Sequence, residues 1–167
     1  MTKALKNKSF AKPKPEVFLS YIRTIENSVS SNLFRNLYFR INNRVVDVLE
    51  DGDLSCANYV TAILYLFDLT KERHTTVLNT IEDIQKSNWY EIKKPRKGAL
   101  ILWDYKRKSD GTQGKNRHVG FYIAKETAIS NSSSKRIIVR HHPTFGTFPN
   151  GKAKRDILAY YWHDNLN

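Results

Sequence analysis

The chain has 167 residues, long enough for one domain with a real core. Apolar residues make up 40% and aromatics 12%, which excludes a disordered chain, and no stretch reaches the roughly 18 consecutive apolar residues of a membrane-spanning helix. Lys and Arg number 28 against 16 Asp and Glu, a net charge of +12, and the single cysteine excludes an intrachain disulfide.

Residues 1–15 are basic, carry Pro13 and Pro15, and lack the apolar centre of a signal peptide. They read as a flexible basic arm ahead of a single domain over residues 16–167. With no signal peptide visible, the compartment stays open between the cytoplasm and non-classical export. Glu16 to Val29 is expected to be a helix, with Phe18, Ile22, Ile25 and Val29 on one face. Leu33 to Leu49 reads equally as a hairpin turning at Asn42-Asn43 or as a helix followed by a loop.

Gly52 and Asp53 break what precedes them, and Asp53 or Ser55 can cap a helix from Ser55 to Asp68. Val60, Ile63, Leu64 and Phe67 recur at helical spacing along it. Cys56 therefore falls in the first turn, where free N–H groups and the positive end of the helix dipole favour a thiolate. As a small apolar residue it also continues the buried stripe, so the segment alone does not separate a nucleophile from a core cysteine. A second helix is expected from Thr75 to Lys86, with His74 at its start.

Pro95-Arg-Lys-Gly98 is a turn, and Ala99 to Asp104 a buried strand. A polar, basic loop from Lys106 to Arg117 leads into His118-Val-Gly-Phe-Tyr-Ile-Ala124, which alternates like a half-buried strand. Val119, Phe121 and Ile123 face one side; His118, Gly120 and Tyr122 face the other. Gly120 leaves room for a neighbour beside His118. Further strands are expected at Thr127 to Asn131, Arg136 to His141 and Ile157 to Trp162. Helices first and sheet afterwards make the fold class α+β.

A lone cysteine nucleophile needs a general base, normally a histidine distant in sequence. Of the five histidines, His118 has the most suggestive setting. The order of a helix-borne cysteine, then Pro95-x-x-Gly-Ala-Leu-Ile-Leu-Trp103, then His118-Val-Gly-Phe-Tyr-Ile resembles the NlpC/P60 and CHAP branches of the papain-like cysteine peptidases and amidases. The resemblance runs from about Leu54 to Asn131 and is divergent. Ser55-Cys56-Ala57-Asn58 stands where Asp-Cys-Ser-Gly is usual, and Ala99 follows Gly98 where an acidic residue is common. It implies a papain-like fold, with N-terminal helices on a central antiparallel sheet, and Cys56 and His118 as catalytic residues.

The resembled families hold the catalytic imidazole with a polar residue on the following strand. The register implied by the resemblance selects Ser130, and a one-residue change in the turn selects Asn131 instead. Asn131 is chemically the better acceptor, through its amide oxygen. His141 and His142 compete for the role, and strand alternation lets at most one of them face Cys56. No metal-ligand spacing such as His-x-x-x-His or Cys-x-x-Cys occurs, so the residues call for no metal or cofactor. His163, beside Trp162 and close to the C-terminus, reads as structural or solvated.

Two functions follow as expectations. The first is a cysteine hydrolase, a peptidase or amidase with bacterial peptidoglycan peptides as candidate substrates. Cys56 attacks the amide carbonyl, His118 moves the proton, and the Cys56 N–H helps hold the oxyanion. The second is a catalytically silent basic module that binds nucleic acid or another polyanion. The basic stretch Lys93 to Arg117 is expected to form one electropositive rim that would attract either anionic cell-wall polymers or nucleic acid.

Overall fold

The computed structural model describes residues 12–167. Most of the basic arm thus lies outside the described residues, and Lys12 to Pro15 are exposed and without regular structure. The described residues form α1 (Val17–Asn27), the strands β1 (Tyr38–Ile41) and β2 (Arg44–Asp47), α2 (Cys56–Leu66) and α3 (Val77–Lys86). There follow β3 (Tyr90–Ile92), β4 (Leu100–Trp103), β5 (His118–Ala124), β6 (Thr127–Ser132), β7 (Ile137–His141) and β8 (Ile157–Trp162), and a short 3-10 turn at Asp164–Leu166. None of the described helices is long and apolar enough to cross a membrane. The class is α+β.

The ambiguous segment after α1 is a hairpin. Asn42 and Asn43 both take positive φ, 47° and 62°, as the tightest hairpin turns require, and asparagine tolerates that region better than most residues. β1 and β2 pair only with each other.

The other six strands form one antiparallel sheet in the order β3-β8-β4-β5-β6-β7. Its two faces follow from the register. Leu102 pairs with Val119, Leu100 with Phe121 and Phe121 with Ile129, and these side chains face the helices. α2 lays Tyr59, Val60, Ile63 and Leu64 on that face, all buried, each contributing about 1.5–3 kcal/mol by leaving water. The opposite face carries Trp103 beside His118, and Ala128 beside His141. A loop over residues 142–156 folds across it. Trp103 Nε1 donates to the Pro143 carbonyl at 2.6 Å, and Phe145 packs edge-on against Trp103.

α3 starts two residues later than the pattern predicts. Thr76 is its N-cap, accepting from the Asn79 N–H at 3.2 Å. His74 instead bonds forward, Nε2 to Asp83 Oδ2 at 2.7 Å, tying the segment before α3 to the helix. His163 Nδ1 accepts from the Asn165 N–H and is buried, the structural of the two roles expected for it. β3 had no counterpart in the sequence reading, because three residues give no periodicity to detect.

Candidate active site

The cysteine side of the site begins in the turn before α2. Glu50, Asp51 and Gly52 all take positive φ, 50°, 53° and 95°. Left-handed backbone is costly for non-glycine residues and persists only when the surroundings hold it. Here Asp51 is gripped at 2.6 and 2.7 Å by the Arg35 guanidinium and again by Arg136. The Gly52 carbonyl accepts from Asn131 Nδ2 at 2.8 Å. Gly52 also has no room for a side chain, because a Cβ would stand 3.0 Å from Arg136 Cβ. The turn is therefore pinned to β6 and to the bend before β7, and it delivers Cys56 as the first residue of α2.

Neither expected cap operates as a cap. Ser55 is the N-cap position, but its backbone is helical (φ −79°, ψ −4°), so its hydroxyl does not reach the first-turn N–H groups. Its Oγ is buried with no hydrogen-bond partner. The first-turn N–H groups are left to other partners, the Cys56 sulfur among them. Burial pushes the Cys56 thiol up from its ordinary value, while the N–H groups of Val119, Ala57 and Cys56 itself and the Arg155 charge pull it down. Burial wins. The helix start favours the thiolate as expected, yet not enough to make it the resting form.

The histidine side is a chain of hydrogen bonds across β5, β6 and β7. His118 Nε2 lies 2.9 Å from Ser130 Oγ, and Ser130 Oγ lies 2.8 Å from His141 Nε2. His141 Nδ1 lies 2.8 Å from the His142 carbonyl. A carbonyl can only accept, so His141 Nδ1 carries a hydrogen. Burial pushes both imidazoles below their ordinary pKa, with Arg155 adding to the effect, so both rings are neutral near pH 7. A neutral His141 protonated at Nδ1 presents a lone pair at Nε2, and the Ser130 hydroxyl must donate to it. Ser130 Oγ is then left to accept from His118 Nε2–H. By elimination the His118 lone pair is on Nδ1, the nitrogen that a proton donor would need to find free.

Aromatic side chains enclose this chain. Trp103 lies 5.5 Å from the His118 ring and 5.6 Å from His141, and Phe145 stacks on His141 at 4.0 Å. Excluding water strengthens the bonds they surround. Gly120 completes the packing, since a Cβ there would lie 2.6 Å from Ser130 Cβ.

Cys56 and His118 line one cavity of about 500 Å³ at the end of the sheet. Leu54, Leu102, Val77, Leu78 and Ile81 are its apolar lining, Lys115, Arg117 and Arg155 its cationic lining, and Tyr105 also borders it. Of the charged residues in the basic stretch Lys93 to Arg117, only Lys115 and Arg117 line the cavity. Lys97 pairs with Glu26 of α1 at 2.8 Å, Arg96 lies over the Trp162 ring, Arg107 pairs with Asp156, and Lys108 borders a separate groove with Phe148. The single electropositive rim expected from the sequence is thus divided among several places, because strand β4 carries the chain across the sheet between its two basic ends.

The sequence-predicted site residues separate into two groups. Cys56 and His118 line the cavity, and His118 and Ser130 belong to the hydrogen-bond chain. Asn131 does not approach the His118 ring with its side chain. It is on the helix face of β6, where its amide holds the Gly52 turn. His141 joins the chain through Ser130, whereas His142 turns away to accept from the Thr144 N–H. Sequence reasoning missed Arg155 and Phe145. Lys154-Arg155 reads as ordinary surface charge, and nothing local marks the loop that folds it back. The chain matches no protein-family model, and no curated protein matches it.

Proposed function

We propose that the protein is a cysteine hydrolase, a peptidase or amidase of papain-like, NlpC/P60-type architecture. The observation that carries this reading is the His118–Ser130–His141 chain. It leaves a lone pair on His118 Nδ1, and His118 lines the same cavity as Cys56, the first residue of α2. The resting pair is a neutral thiol and a neutral imidazole. His118 Nδ1 takes the thiol proton as the sulfur attacks the amide carbonyl. The N–H groups at the start of α2 receive the oxyanion. The imidazolium then returns the proton to the leaving amine, and water hydrolyses the thioester with His118 again as base. The imidazolium formed in passing is stabilised through Nε2–H by Ser130.

Peptide amides of bacterial peptidoglycan are the first substrates to offer, on the strength of the sequence resemblance. Incubation with digested peptidoglycan should release new free amines detectable by mass spectrometry. Cys56→Ala and His118→Ala should each abolish the release. Hydrolysis that survives Cys56→Ala would refute the assignment. Should no amide be cleaved while the folded protein binds DNA, with affinity falling steeply in salt and indifferent to Cys56→Ala, the basic binding module is the correct reading.

A further inference from the structure

We propose that Arg155 forms a carboxylate-binding subsite beside Cys56, so that the substrate carries an acidic group next to its scissile bond. This rests on the reading of Cys56 as nucleophile and adds the substrate class. β5, β4 and β8 lie side by side, with His118 paired to Trp103 and Trp103 to Ile157. Arg155 precedes Ile157 by two residues and continues that row past the sheet end into the cavity.

The guanidinium is half-buried and stacked on Phe145, 5.4 Å from the ring centroid. Among the described residues no carboxylate lies within ion-pair distance of it, and its one polar contact is a long one, 3.5 Å from Nη1 to the Asn116 carbonyl. The other nearby arginines are engaged: Arg107 with Asp156, and Arg117 with Asp104 at 3.8 Å and the Tyr105 ring. A desolvated arginine fork with most of its five donors unused is the natural partner of a carboxylate, which it can meet with two parallel bonds. Lys115 and Arg117 add positive charge to the same lining, against the exposed Asp53 alone. Val77, Leu78 and Ile81, which line the same cavity, offer apolar surface to an aliphatic group. Burial lowers the Arg155 pKa while Cys56 and Asp104 raise it, so the guanidinium lies near enough to the sulfur to sense its charge whenever the thiolate forms.

Iodoacetate and iodoacetamide test this without any substrate. In both, the thiolate displaces iodide, and they differ only in carboxylate against carboxamide. Each rate with Cys56 is divided by the rate with a small free thiol. The iodoacetate-to-iodoacetamide ratio should exceed one by about tenfold at low salt, the strength of a charge-assisted hydrogen bond. It should fall toward one in about 1 M salt, and in Arg155→Gln, while Arg155→Lys retains part of it. A ratio near one at low salt overturns the subsite and leaves the hydrolase reading standing. So does an Arg155→Gln variant that lowers both rates in step, because Arg155 would then serve the thiolate and not the ligand. A folded protein whose thiol is inert to both reagents overturns the nucleophile and the subsite together. Near-ultraviolet circular dichroism monitors folding of the variants, and if Arg155→Gln does not fold, the salt dependence of the unaltered protein decides.

Discussion

The Ser130 hydroxyl stands 2.8 Å from Nε2 of His141, and that contact settles which way its only proton points. The consequence reaches His118. With His141 present, Ser130 donates away from His118 and accepts from its Nε2–H. With His141→Ala, the Ser130 proton is free to turn toward His118 Nε2, which favours the opposite tautomer and blocks Nδ1. His141→Ala should therefore lower kcat/KM by about 10–100-fold, less than the roughly 100–10,000-fold of a full general acid–base contribution, because His118 itself remains. His141→Gln, whose amide oxygen can accept from Ser130, should recover part. Imidazole nitrogen shifts measured by NMR should show the His118 hydrogen on Nε2 in the unaltered protein and a mixed population in His141→Ala. An unchanged His118 tautomer would remove His141 from any role beyond packing.

Ser130 and Asn131 are neighbours on one strand with opposite duties, and their alanine variants should differ accordingly. Ser130→Ala leaves the buried His118 and His141 nitrogens without their shared partner, so it should cost about 1–3 kcal/mol of stability and also slow hydrolysis per folded molecule, since Ser130 acts through the His118 ring. Asn131→Ala removes the donor to the buried Gly52 carbonyl and should cost about 1–3 kcal/mol of stability. Paired denaturation and activity measurements separate the two. A stable Asn131→Ala with activity lost would return the orienting role to Asn131.

Much of the architecture was legible because it depends on periodicity. The α2 stripe of Val60, Ile63 and Leu64 and the alternation of Val119, Phe121 and Ile123 each have one burial solution, and the structure adopts them. Cys56 and His118 were legible as candidates because a helix start and a strand start place them, and Ser130 through the register that the resemblance implies. The role of Asn131 was not. Serine and asparagine are adjacent, and choosing between them requires the length of the turn between β5 and β6, where the register shifts between Tyr122 and Ala124. Arg155 was illegible for a different reason. Its position depends on a long loop returning over the sheet, held by contacts such as Arg155 N–H to the Thr144 carbonyl, which no local pattern encodes.

Gly120 has the tightest surroundings in the candidate site. A Cβ at this position would meet Ser130 Cβ at 2.6 Å, the Ile129 carbonyl at 2.7 Å and Trp103 at 3.0 Å. Two of those neighbours are backbone or the first side-chain atom and cannot swing aside. Gly120→Ala should destabilise the fold by about 1–3 kcal/mol, as overpacking does. It should also lower activity beyond the loss of folded protein, because the displaced atom carries the Ser130 hydroxyl. Activity per folded molecule equal to that of the unaltered protein would show that the Ser130 position tolerates the shift.

The buried titratable groups set a stability profile with pH whose two limbs have different owners. His118 and His141 both have folded pKa values below the ordinary 6.5, because burial disfavours their charged forms. Below pH 6.5 the unfolded chain binds protons that the folded chain refuses, so stability falls as pH drops, by up to about 1.4 kcal/mol per pH unit for each proton. Asp51, held down to about 2 by its Arg35 and Arg136 partners, adds a loss only below its ordinary 3.8, so the histidine limb is separable from it. On the alkaline side burial raises Cys56 above its ordinary 9.0, so the unfolded chain loses that proton first and stability falls again above pH 9. Tyr21 and Tyr59, also raised by burial, extend that limb above pH 10. Denaturant midpoints should therefore form a plateau between about pH 6.5 and 9. His141→Gln should make the acid limb shallower, and Cys56→Ser should remove the onset at pH 9 while leaving the tyrosine part. A midpoint that stays flat from pH 7 to pH 5 would mean that both imidazoles accept protons inside the fold, and the neutral His118–Ser130–His141 chain would have to be abandoned.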